Sequence, residues 1–137
     1  MPYIHLQLAA ARGVEASDAE LAQALSDLSA SVLHKSRHVT AVRVERCDPA
    51  SWFIGGEAVA PLGPSTVHVQ IQITAGTNTA IEKSRFVTAA FDALAALLGD
   101  LHTASYVVVE EIAADAWGYG GHTQAARRLQ LATAEYR

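Results

Sequence analysis

The sequence predicts an α+β fold of two fused β-α-β units, forming a four-stranded sheet with two helices on one face. Three observations carry this expectation. The chain repeats itself at a displacement of 65 residues. Each copy opens with period-two alternation and then changes to helical spacing. A Pro/Gly-rich stretch separates the copies. In the repeat, Ile4, Leu6 and Leu8 fall on Val69, Ile71 and Ile73, and Gln7 falls on Gln72. Val42 and Val44 fall on Val107 and Val109, Trp52 on Trp117, and Gly55-Gly56 on Gly120-Gly121. Chance would supply far fewer matches, so the chain reads as a duplication.

The first strand is "YIHLQL", whose alternate residues bury one face. Ser17-Asp18-Ala19-Glu20 then has the spacing of a capping box, and Leu21, Ala24, Leu25, Leu28 and Val32 recur at helical intervals. "TAVRVER" is the second strand, and Gly55-Gly56 marks a tight turn behind Trp52. The linker "EAVAPLGPST" holds Pro61, Gly63 and Pro64, which break helix and strand alike. "VHVQIQI" begins the second copy. Thr79-Ala80-Ile81-Glu82 caps its helix, Phe86, Ala90, Leu94 and Leu97 form the apolar stripe, and Gly99 ends it. "SYVVVEE" is the last long strand, and the tail after Gly121 has the composition of a short helix. The whole of 1–137 is one domain, with units at 2–60 and 65–122 and a tail at 123–137.

Strand–helix–strand units of this length make right-handed parallel crossovers. The helices therefore cover the face bearing Ile4, Leu6, Leu8, Val69, Ile71 and Ile73. His5, Gln7, His68, Gln70 and Gln72 share the opposite face, which is polar but poor in Lys and Glu. Such a face is expected to lie against neighbouring subunits.

Half the residues are hydrophobic, enough for a core without disulfide or metal, and the net charge is −4 with no dense basic run. Nucleic acid is therefore not an expected partner. No apolar stretch approaches the roughly 20 residues that span a bilayer, and no signal-peptide pattern opens the chain. The single cysteine, Cys47, forms no internal disulfide, and a cytoplasmic setting is expected.

Pro2 stands directly ahead of the first strand. Removal of Met1, which a small second residue permits, would free its nitrogen. An α-amino group has a reference pKa of roughly 7.7–8.0, and burial or nearby cations lower it, so such an amine can act as a general base near neutrality. Arg12 follows the first strand, and Arg43 and Arg46 lie on the second. Arginines supply forked hydrogen bonds to a carboxylate and would depress the amine's pKa. On a regular strand Arg43 and Arg46 point to opposite faces, so one pocket takes only one of them unless a bulge intervenes. Trp52 is placed to wall a pocket or fill a core. His5 and His68 have no carboxylate or cysteine at ligand spacing beside them, so neither a metal nor another cofactor is expected. Ser51, His34, His38 and Cys47 form no nucleophile–base set.

Pro2, the capped helix, the "GG" turns and Arg12 ten residues after Pro2 resemble the tautomerase superfamily, typified by 4-oxalocrotonate tautomerase. The likeness spans essentially the whole chain, as two fused units with a tautomerase/MIF-like fold. It implies that Pro2 is the catalytic base and that Arg12 binds the substrate carboxylate. It further implies that Arg43 in "AVRVER" is the second-strand arginine, that Trp52 lines the pocket, and that the chain forms a homotrimer. The second copy has Val67 in place of Pro2 and Thr77 in place of Arg12, so only the first copy supplies a base. "VRVERCDPASWFIGG" looks most like the cis-3-chloroacrylic acid dehalogenase branch. That branch carries arginines where this chain has Thr74-Ala75-Gly76-Thr77, a helix histidine where Ser29 stands, and a water-activating glutamate near Gly118.

These departures favour isomerisation of a 2-oxo acid or its enol over hydrolysis. Two rivals stay open: hydration, dehalogenation or decarboxylation of a small unsaturated or 3-oxo acid, and a catalytically silent binding or scaffold trimer.

Overall fold

A computed structural model describes residues 1–59 and 63–135. The first unit runs β1 (Tyr3–Ala9), α1 (Asp18–Ser31), β2 (Ala41–Arg46) and a small hairpin of β3 (Phe53–Ile54) and β4 (Glu57–Ala58). The second repeats it as β5 (Thr66–Thr74), α2 (Ala80–Leu98), β6 (Tyr106–Ile112), β7 (Gly118–Tyr119) and β8 (His122–Thr123). The expected tail helix forms as α3 (Gln124–Glu135). Pro61 of the linker lies outside the described residues.

Both capping boxes form: Ser17 and Thr79 accept the N–H groups of Glu20 and Glu82, whose carboxylates reach back to the capping residues' own N–H. Gly99 ends α2 with a φ of 77°, where a side chain would be strained. The sheet order is β2-β1-β5-β6. Each unit pairs its own strands in parallel, and the units meet through antiparallel β1 and β5, with Tyr3 opposite Gln72 and Ala9 opposite Thr66.

Ile4, Leu6, Leu8, Val69, Ile71 and Ile73 are buried under Leu21 and Leu25 of α1 and Phe86, Ala90, Leu94 and Leu98 of α2. Full burial of side chains this size stabilises by about 1.5–3 kcal/mol each, so these strands and helices form one core. The stripe of α2 ends on Leu98 rather than on Leu97, which packs only at the core's margin. The other sheet face is less neutral than expected. Glu45 of β2 accepts from Gln7 and lies 2.7 Å from the His5 ring nitrogen. At the position 65 residues on, Glu110 of β6 gathers Gln70 and Gln72 in the same way. The flanking strands thus supply the charge that the central strands lack.

Candidate functional site at the chain's amino terminus

Pro2 is buried, and its carbonyl accepts a hydrogen bond from the Ala41 N–H at 3.3 Å, which fixes the start of β1 against β2. The terminal amine, carried by Met1, has its pKa lowered first by burial, then by the charges of Lys35 and Arg127. All three act in one direction because each disfavours a protonated amine.

Lys35 reaches this place through the way α1 ends. His34 adopts a φ of 59°, a left-handed conformation that costs a non-glycine residue about 1 kcal/mol. The turn sends the Lys35 N–H back to the Ser29 carbonyl at 3.0 Å, while the Asn78 carboxamide donates to the Leu33 carbonyl at 2.9 Å. The His34 ring lies 3.1 Å from Glu82. Lys35 Nζ then donates to Thr77 Oγ1 at 2.9 Å, and Thr77 Oγ1 donates to the Thr74 carbonyl at 2.6 Å. Burial lowers the pKa of the Lys35 ammonium, Glu82 opposes that shift and Arg128 adds to it.

The rest of the surroundings come from the second unit. Continuing the β1–β5 register from Tyr3 opposite Gln72 sets Met1 opposite Thr74. The Trp117 indole donates to Thr74 Oγ1 at 3.2 Å, and the Trp117 carbonyl accepts the Gln124 N–H at 3.0 Å. One turn along α3, Arg127 donates to Gln124 Oε1 at 3.1 Å and stacks over the Tyr119 ring, 4.7 Å from its centroid. The amine position of the first unit is therefore served by the loop, tryptophan and tail of the second.

The expected company of Pro2 is arranged differently within the chain. Arg12 follows β1 while Pro2 precedes it, and seven strand residues separate them by roughly 20 Å. Arg12 lines a cleft of about 720 Å3 with Gly13, Pro64, Asp100 and His102. Trp52 borders a hollow of about 440 Å3 with Gln7, Cys47 and His68, at the same far end of β1. Both hollows lie at the opposite end of β1 from Pro2 of the same chain. Arg43 lies beside His5 and so on the open face of the sheet, exposed on an edge strand. Arg46 lies beside Leu8, on the helix side, where it binds Asp18 at 2.8 Å and the Ala16 carbonyl at 2.7 Å.

The reason for the exchange is the antiparallel meeting of β1 and β5, which sets the end of each against the start of the other. Sequence reasoning set Arg12 and Trp52 of the first unit with Pro2, named Thr77 and Trp117 only as their counterparts, and did not reach Lys35 or Arg127. The duplication itself held the clue, since Trp117 and Thr77 are the counterparts of Trp52 and Arg12. Among the described residues no group of three or more His, Cys, Asp or Glu is placed to hold a metal ion, and no helix is long and apolar enough to cross a membrane.

Comparison with known proteins bears on this arrangement. Residues 68–127 match the family model described as tautomerase enzyme. A comparison with curated protein sequences gives no match. Among solved structures, the chain is similar to the Q0 fused 4-OT wild-type symmetric trimer at 22% identity, with 90% of this chain and 98% of that chain covered and a TM-score of 0.73. It is also similar to Pt0534 inactivated by 2-oxo-3-pentynoate, at 13% identity, 91% and 98% coverage and a TM-score of 0.75. A macrophage migration inhibitory factor-like protein from Entamoeba histolytica matches at 16% identity, 89% and 97% coverage and a TM-score of 0.69. The second unit thus matches the tautomerase family model, and the chain shares the fold of fused 4-OT over nine-tenths of its length.

Proposed function

We propose that the protein is a cofactor-independent tautomerase in which the Pro2 nitrogen, freed by removal of Met1, moves a proton on a small 2-oxo acid or its enol. The observation that carries this reading is the setting of the amino terminus, half-buried and near enough to Lys35 and Arg127 for both charges to lower the pKa of the terminal amine. A base must be unprotonated to accept a proton, and a lowered amine pKa moves the nitrogen toward that state. The proline nitrogen takes the enol O–H proton and returns it to carbon as the C=C bond becomes C=O, so no redox partner or metal is called for. Lys35 and Arg127 give a carboxylate substrate two cations to face, and Trp117 provides an apolar wall.

Inactivation of Pt0534 by a 2-oxo acid supports this substrate class. The trimeric state of fused 4-OT supports a homotrimer here, in which exposed Arg43 on the open sheet face is available to a neighbouring copy. Arg12 keeps its expected role as a carboxylate ligand only toward a molecule in its own cleft or a neighbour's site.

Mass spectrometry of the intact chain is expected to show loss of Met1, since an acylated proline nitrogen is an amide and not a base. Pro2→Ala should slow ketonisation of phenylenolpyruvate or 2-hydroxymuconate by about 100-fold or more. Full activity in that variant, or in a form that retains Met1, would overturn the proposal.

A further inference from the structure

We infer that Gln124 is a substrate-binding residue whose carboxamide N–H donates to the 2-oxo (enolate) oxygen of the ligand. The inference rests on the Pro2 reading and assigns the group that holds the oxygen on which charge develops.

Gln124 is only 7% exposed, and its Nε2 has no hydrogen-bond partner among the described residues. A buried amide donor left unpaired is disfavoured, and native chains seldom keep one without a use. The orientation of the carboxamide is not arbitrary, because Oε1 is taken by the Arg127 guanidinium at 3.1 Å. A guanidinium only donates, so it holds the oxygen toward itself and leaves the NH2 group free. Gln124 is also bracketed by members of the amino-terminal site. Its backbone N–H is bound by the Trp117 carbonyl, the Trp117 indole binds Thr74, and Arg127 acts on the terminal amine. An unpaired donor held next to a cation that acts on the terminal amine is an arrangement that stabilises oxygen charge without reorganisation.

Two readouts test this. In Gln124→Met, of similar length but without a donor, the melting temperature should hold or rise because an unpaired buried group is gone. In the same variant kcat should fall about 10- to 100-fold with KM changed much less. A lower melting temperature with unchanged kcat would make Gln124 merely structural and overturn the inference.

Oxalate, a planar dianion shaped like the enolate of a 2-oxo acid, gives a readout independent of turnover. Titrated into the wild-type chain, it should shift the Gln124 side-chain NH2 signals in 15N–1H spectra, and those signals should be missing in Gln124→Met. Unshifted Gln124 signals, whether or not oxalate moves others, overturn the inference. Full activity of Pro2→Ala would instead refute the base assignment, and the oxalate titration would still decide for or against Gln124.

Discussion

Lys35 Nζ donates to Thr77 Oγ1 at 2.9 Å, so a residue from the turn after α1 is held by the loop after β5. Thr77 stands 65 positions after Arg12, where the duplication would have placed an arginine. The cation near the amino terminus thus comes from the first unit's own turn after α1, and the second unit's loop holds it in place.

Removing that cation should move the pH dependence of turnover in a defined direction. Lys35 and Arg127 both lower the pKa of the terminal amine, so Lys35→Met or Arg127→Met should raise it. The acidic limb of kcat/KM then shifts to higher pH, since a more basic amine stays protonated further up the scale. Arg12→Ala, in a separate cleft, should leave that limb where it is. A pH–rate profile of the three variants checks this, and an equal shift in all three would contradict the separation of the two ends.

Arg46→Ala should cost less than about 1 kcal/mol and leave activity intact. Its partner Asp18 is exposed, as it is itself, and exposed ion pairs contribute little. Urea unfolding together with a steady-state assay distinguishes this from a role in the site.

Thr79→Ala should destabilise by about 1 kcal/mol through loss of the α2 cap. Because Asn78 and Thr77 of the same loop hold Leu33 and Lys35, turnover should fall as well. Ser17→Ala removes the matching cap of α1 at a similar cost but touches no such loop. Comparing melting temperature with kcat for the two variants separates capping from site support.

Stability should also drain away in acid. The pKa of Glu82 is lowered mainly by the Thr79 backbone N–H, and that of Glu111 mainly by its hydrogen bond to Lys83. A carboxyl group with a depressed folded pKa contributes its stability above the unfolded value, near 4.5 here. That contribution is lost as pH falls through the lower folded pKa. Glu111→Gln should flatten the decline in melting temperature below the ordinary glutamate range, and an unchanged decline would count against it.

The fold was legible in the sequence because its determinants are local. Alternation at Ile4, Leu6 and Leu8, and the caps at Ser17 and Thr79, act within a few residues of themselves. The opposite faces of Arg43 and Arg46 followed from strand period alone. The composition of the amino-terminal site was less legible, since it depends on which strands meet and in which direction. Trp52 and Trp117 are equivalent by sequence, and only the antiparallel contact of β1 with β5 assigns Trp117 to the Pro2 end. Lys35 depends on a left-handed histidine, a conformation that spacing does not announce. Gln124 gave no sign because an unpaired amide is a property of packing.

The antiparallel seam also fixes how lesions in this gene would be read. The half that carries no amine holds the walls of the amine's site, so its surface cannot drift freely after duplication. The far end, where Val67 replaces proline, is released from that constraint. Under the proposed role of Pro2, selection on that reaction falls across both halves of the chain, and sequence change should accumulate by end of the sheet rather than by repeat.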